Sequence, residues 1–112
     1  MRWLALVFGL ITAPAHAETV IASWYGPGFD GHRTASGEVY HQDAMTMAHR
    51  TLAFGTIVAV RYQGRCVEVR VTDRGPYIAG RSLDLSRGAA RALGMIEEGV
   101  ARVDMEVGGD CG

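Results

Sequence analysis

Between Ile57 and Thr72 the chain alternates apolar and polar residues around a two-residue break. Ile57 to Tyr62 and Arg65 to Thr72 flank Gln63-Gly64, a spacing that predicts a β-hairpin with glycine supplying a positive φ. Pairing across that turn sets Val60 opposite Val67 and Val58 opposite Val69 on one face. Arg61 then faces Cys66, and Ala59 faces Glu68, on the other. A second alternation over Val100 to Val107 turns Ala101, Val103, Met105 and Val107 inward and Arg102, Asp104 and Glu106 outward.

Shorter β signals fill the rest. Val20 to Gly26 is rich in β-branched and aromatic residues, Met45 to His49 reads as a short strand or bend, and Arg81 to Leu85 as another short strand. Ser86 is placed to cap a helix over Arg87 to Leu93, which Gly94 would stop. Gly26 to Glu38 holds four glycines and a proline and is expected to be a long loop, without the GK[ST] ending of a phosphate-cradling loop. About six short strands and one or two short helices make a mainly β chain, and their spacing favours a small barrel over a sandwich or a βαβ array.

The first residues do not share this pattern. Arg2 precedes an apolar run from Trp3 to Ile11, and Ala15-His16-Ala17 is a small-x-small site, so residues 1–17 read as a secretory signal peptide and 18–112 as one domain. The run is short for a membrane span, and no lipid-anchor cysteine lies near the cleavage site. The expectation is a soluble, monomeric protein that is periplasmic or secreted. Export changes the reading of Cys66 and Cys111, the only cysteines, which are expected to pair in an oxidising compartment. All 11 basic residues are arginines against 12 acids, a slightly negative balance that fits neither nucleic acid nor a polybasic membrane surface.

The hairpin's second strand runs into Asp73-Arg74-Gly75-Pro76-Tyr77. A carboxylate is thereby fixed at the end of a rigid element with a sharp turn behind it. In isolation such an aspartate is more often a local turn cap than a reactive group. Glu38, at the end of the glycine loop, and Asp84, before the helix, are the other acids with plausible geometry, and His49 is the histidine best placed beside them. A carboxylic acid with a second polar partner is what glycosidic cleavage requires, although many residue sets would meet that description. Trp24 and Tyr25 offer flat faces for sugars, with core packing an equal alternative for Trp24. No HxH or HExxH pattern points to zinc, and no G-x-S-x-G elbow points to a serine nucleophile, so no metal or cofactor is expected.

Five blocks together resemble the rare lipoprotein A (RlpA) family. They are Ala22-Ser23-Trp24-Tyr25-Gly26; Gly31-x-Arg33-Thr34-Ala35-Ser36-Gly37-Glu38; Ala48-His49-Arg50-Thr51-Leu52; Val71-x-Asp73-Arg74-Gly75-Pro76-Tyr77; and Arg81-x-Leu83-Asp84-Leu85-Ser86 with Ala89-Ala90-x-x-Leu93-Gly94 after it. They cover the chain from Ala22 to about Val107. The resemblance implies a six-stranded double-psi β-barrel and an endolytic lytic transglycosylase acting on peptidoglycan glycan strands, typically ones stripped of stem peptides. Carried over by position, it implies Asp73 as catalytic acid and base, with Glu38 and His49 tuning it and placing the substrate. Trp24, Tyr25, Arg74, Tyr77 and Asp84 are then the expected substrate-binding residues. Many family members also carry a lipid anchor and a C-terminal peptidoglycan-binding repeat, and neither is read in this sequence. Two other classes stay open: a non-catalytic, expansin-like module that binds glycan and loosens wall contacts, and an interaction or inhibitor domain on the same barrel. An essential Trp24 and Tyr25 with a dispensable Asp73 would select the first, and an exposed apolar patch away from Asp73 the second.

Overall fold

A computed structural model describes residues 17–112. The expected signal peptide lies, but for Ala17, outside these residues. Six strands and one helix follow in order: β1 (Ala17–Trp24), β2 (Thr46–His49), β3 (Ile57–Tyr62), β4 (Arg65–Asp73), β5 (Leu83–Leu85), α1 (Arg87–Leu93) and β6 (Val100–Val107). They close into a barrel in the order β1-β5-β2-β4-β3-β6. The expected six-stranded double-psi β-barrel is what the chain forms.

The β3–β4 hairpin has the expected register, Val60 against Val67, Val58 against Val69 and Arg61 against Cys66. Its turn takes Gln63 at φ 48° and Gly64 at φ 80°, both left-handed, as the two-residue turn that matches strand twist requires. The four valines are buried, and with Met47, Val71, Leu83, Leu85, Leu93, Met95, Val103 and Met105 they fill the barrel. Helix α1 is capped as expected: the Ser86 hydroxyl accepts from the Ala89 N–H, and Gly94 closes the far end. Ala89, Ala90 and Leu93 join the core from the helix.

Two strands differ from expectation by more than one residue. β1 starts at Ala17 rather than Val20, because Ala17, Glu18 and Thr19 find partners in Glu106, Met105 and Asp104 of β6. The short strand before the helix spans only Leu83–Leu85. It lies between β1, to which it is parallel, and β2, to which it is antiparallel.

The pairing of β2 with β4 is also parallel, and it contains the irregularity that matters for the site. Met47 lies opposite Val71 but Ala48 opposite Asp73, so Thr72 is an extra residue on β4. A bulge of this kind bends the strand and re-aims the side chain that follows it. Asp73 is that side chain.

Cys66 and Cys111 are disulfide-bonded, with Cα atoms 5.7 Å apart and a sequence separation of 45. The same tail is held by the Arg61 guanidinium on the Asp110 carbonyl at 2.8 Å and by the Cys111 N–H on Glu68 at 2.9 Å.

Candidate active site

Beyond the bulge the chain turns at Gly75, whose φ of 119° is open to glycine, and passes through a cis Gly75-Pro76 bond. The turn opens a cleft of about 310 Å³ at the C-terminal ends of β1 and β4. Ser23, Trp24, Tyr25, Phe29, Asp73, Arg74, Tyr77, Arg81 and Asp84 are among its lining residues.

Asp73 is held from three directions. Its Oδ1 accepts from the backbone N–H groups of Ala35 and Arg74, both at 2.9 Å, and its Oδ2 accepts from the Tyr25 hydroxyl at 2.6 Å. A carboxylate has about four lone-pair positions, so these donors leave roughly one for anything entering the cleft. Tyr25 is fixed in turn: its ring stacks on Tyr40 with centroids 4.5 Å apart, and Phe29 meets it edge-on at 5.7 Å. Burial, followed by the hydrogen bond to Asp73 and the charges of Asp73 and Asp84, pushes the Tyr25 phenol far above its ordinary 10.0. The phenol therefore keeps the proton with which it donates to Asp73.

Asp84 faces the same cleft from β5. Parallel pairing of β1 with β5 sets Ser23 beside it, and the Ser23 hydroxyl donates to its Oδ1. Trp24 packs against the core, lines the cleft, and buries an indole N–H that has no hydrogen-bond partner. Tyr77 stands on the rim, 77% exposed, with Phe29 also exposed. Arg74 lines the cleft beside Asp73, but its guanidinium donates to the carbonyls of Leu52 (2.7 Å) and His49 (3.1 Å) and lies 3.9 Å over the Phe54 ring.

Glu38 and His49 are not among the residues lining this cleft. The Glu38 carboxylate makes two hydrogen bonds to Arg70, at 2.5 and 3.0 Å, which hold it below the usual carboxylate range. Its backbone carbonyl accepts from Thr34, closing the turn that carries the Ala35 N–H onto Asp73. His49 Nδ1 accepts from the N–H groups of Thr51 and Leu52, both at 3.1 Å, so a neutral ring carries its proton on Nε2. Among the described residues, no group of three or more His, Cys, Asp or Glu could hold a metal ion.

A model of the family described as lytic transglycolase matches residues 17–105. The chain belongs to that family. Members similar to it include a Synechocystis protein named as a probable endolytic peptidoglycan transglycosylase RlpA, 56% identical over 89 residues, or 78% of this chain and 28% of the relative. Another, from Campylobacter jejuni and named as an endolytic peptidoglycan transglycosylase RlpA, is 51% identical over 100 residues, 86% of this chain and 36% of the relative. The chain therefore spans only about a third of these curated relatives. Among solved structures, an apo expansin of Clavibacter michiganensis matches with a TM-score of 0.68 and 24% identity, covering 86% of this chain and 52% of the expansin. That likeness concerns the fold.

Within this lytic transglycolase barrel, sequence reasoning missed Ser23, Tyr40 and the Ala35 N–H. The first follows from a parallel pairing that no local pattern announces.

His49 gives the barrel a pH dependence of definite sign. Burial, then the charges of Arg50 and Arg74, lower it from the ordinary 6.5. In the unfolded chain it takes up a proton near 6.5, and in the folded protein only at lower pH. Between these values the unfolded state binds the extra proton, so stability falls as pH drops through that window. His49→Asn, whose side-chain oxygen can still accept from the following turn, is expected to flatten this part of the curve. Urea melts of both proteins between pH 7 and 4 measure it, and parallel curves would remove His49 from the account.

Proposed function

We propose that this chain is the catalytic barrel of an endolytic lytic transglycosylase. It cleaves the bond between N-acetylmuramic acid and N-acetylglucosamine in peptidoglycan glycan strands, preferably denuded ones, and leaves 1,6-anhydromuramyl ends. The observation that carries this reading is Asp73, fixed by three donors in a cleft with aromatic walls and with a lone-pair position to spare. The names of the RlpA relatives, at about half identity over most of this chain, support it.

In this mechanism the Asp73 carboxyl gives its proton to the glycosidic oxygen as the bond to the muramyl C1 breaks. The resulting carboxylate then takes the proton of the muramyl C6 hydroxyl as O6 bonds to C1. No water is consumed and Asp73 ends as it began. Asp84, held by Ser23, lies where its charge stabilises the positive character that develops at C1. Tyr77 and Trp24 supply surface for sugar rings. Glu38 and His49 act as positioning residues: Glu38 closes the turn that carries Ala35, and His49 shapes the turn whose carbonyls hold Arg74. The arginine in turn keeps its own backbone N–H on Asp73.

The setting proposed is the periplasm or the exterior, reached through the leader at residues 1–17. Cleavage after Ala17 removes only the first residue of β1. A disulfide suits such a compartment. Among the described residues the barrel strands close on themselves, which favours a monomer.

Mass spectrometry of denuded peptidoglycan incubated with the protein tests the reading. Fragments with anhydromuramyl ends are expected. Reducing ends would mean hydrolysis through an activated water. Intact strands that still bind would leave the expansin-like module.

A further inference from the structure

We infer that Tyr25 is a positioning residue for the reacting carboxyl, and not a platform on which a sugar stacks. The inference rests on the reading of Asp73 given above. Two observations carry it. First, the phenol donates to Asp73 Oδ2 at 2.6 Å, on the side of the carboxyl that no backbone N–H reaches. Second, the ring is already taken: one face lies on Tyr40, 4.5 Å between centroids and 18° from parallel, and Phe29 presses edge-on against it. A ring packed in this way has little free surface for a sugar.

The support continues below it. Tyr40 is 4% exposed, and its hydroxyl accepts from the Arg87 N–H at the start of α1. The N–H of Tyr40 donates to the His32 carbonyl at 2.7 Å, and its own carbonyl accepts from Gly31 at 2.8 Å. A line of contacts therefore runs from the helix through Tyr40 and Tyr25 to Asp73. Its effect is to fix which way the carboxyl faces through a short hydrogen bond. Asp73, Asp84 and Tyr40 act on this phenol, and Arg74 and Arg81 line the same cleft. Asp73 itself keeps the bond because its backbone donors hold the other oxygen.

Tyr25→Phe tests the idea, since it keeps the ring that packs on Tyr40 and Phe29 and removes only the hydroxyl. With denuded glycan, kcat is expected to fall about 10- to 100-fold with KM little changed, as for loss of one hydrogen bond to a charged group. The basic limb of the pH–rate profile, where the acid loses its proton, should move to higher pH. A raised KM with kcat and the pH profile unchanged would overturn the inference and return Tyr25 to substrate stacking. A substrate-free arm separates this from the activity itself: at one pH, ¹³C NMR of the labelled Asp73 carboxyl should show a changed chemical shift in Tyr25→Phe, because Oδ2 has lost its donor. An unmoved carboxyl signal overturns the inference whether or not the parent cleaves glycan. A parent that releases no fragments defeats the transglycosylase reading alone.

Discussion

Asp73→Asn is expected to keep the barrel folded while slowing glycan cleavage by about 10²- to 10⁴-fold, the usual contribution of a positioned acid and base. The structure explains why asparagine suits this test. Its carbonyl oxygen can take the place of Oδ1 and accept from Ala35 and Arg74, which donate to that side. Its NH₂ then points at the Tyr25 hydroxyl, which can rotate and accept where it formerly donated. All the surrounding groups keep a partner, so the melting temperature should stay close to that of the parent. Asp73→Ala would instead strand three donors, at about 1–3 kcal/mol for each one left buried. Initial rates of fragment release, together with glycan affinity by pull-down, separate chemistry from binding. An asparagine variant within about threefold of the parent's rate would remove Asp73 from the centre of the mechanism, since a general acid contributes far more than that.

Removing the Cys66–Cys111 bridge should have the largest effect on stability. A domain of this size buries only about 60–65% of the surface its unfolded chain exposes, which leaves little margin. The bridge joins residues 45 apart in sequence, and releasing a loop of that length frees roughly 4 kcal/mol of unfolded-chain entropy on the loop-closure model. The double replacement Cys66→Ser with Cys111→Ser should therefore lower the melting temperature by about 15–30 °C. The slope of the urea transition should also steepen, because an unfolded chain without the cross-link exposes more surface. Equilibrium urea unfolding gives both numbers. A loss below about 1 kcal/mol would mean that Arg61 on Asp110 and Glu68 on Cys111 suffice to hold the tail.

What could be read in the sequence was local. The β3–β4 register follows from alternation on either side of two turn residues, and the helix ends from Ser86 and Gly94. Asp73 stood out because a strand visibly ends there. The parallel pairs β1–β5 and β2–β4 left no such trace, since they join segments distant in sequence. Ser23 consequently went unnoticed as the partner of Asp84. Strict alternation would send Asp73 the same way as Val71, into the core, and only the extra Thr72 re-aims it. The Glu38 carboxylate meets Arg70 on the polar face of β4, a contact between a loop and a strand that spacing cannot announce. Tyr25 showed its aromatic character in the sequence but not the direction of its hydroxyl, which is set by Tyr40 beneath it.

Strand β1 begins at Ala17 opposite Glu106 of β6 and ends at Trp24 beside the cleft. Seven residue steps at about 3.3 Å each put roughly 23 Å between its two ends. Cys66, which anchors the tail, is likewise seven residues along β4 from Asp73. Both points where the chain enters and leaves the barrel therefore gather at one pole, while the cleft opens at the other. The ends of the barrel strands that carry Ala17 and the Cys111 tail thus lie away from the cleft, and its mouth is left clear.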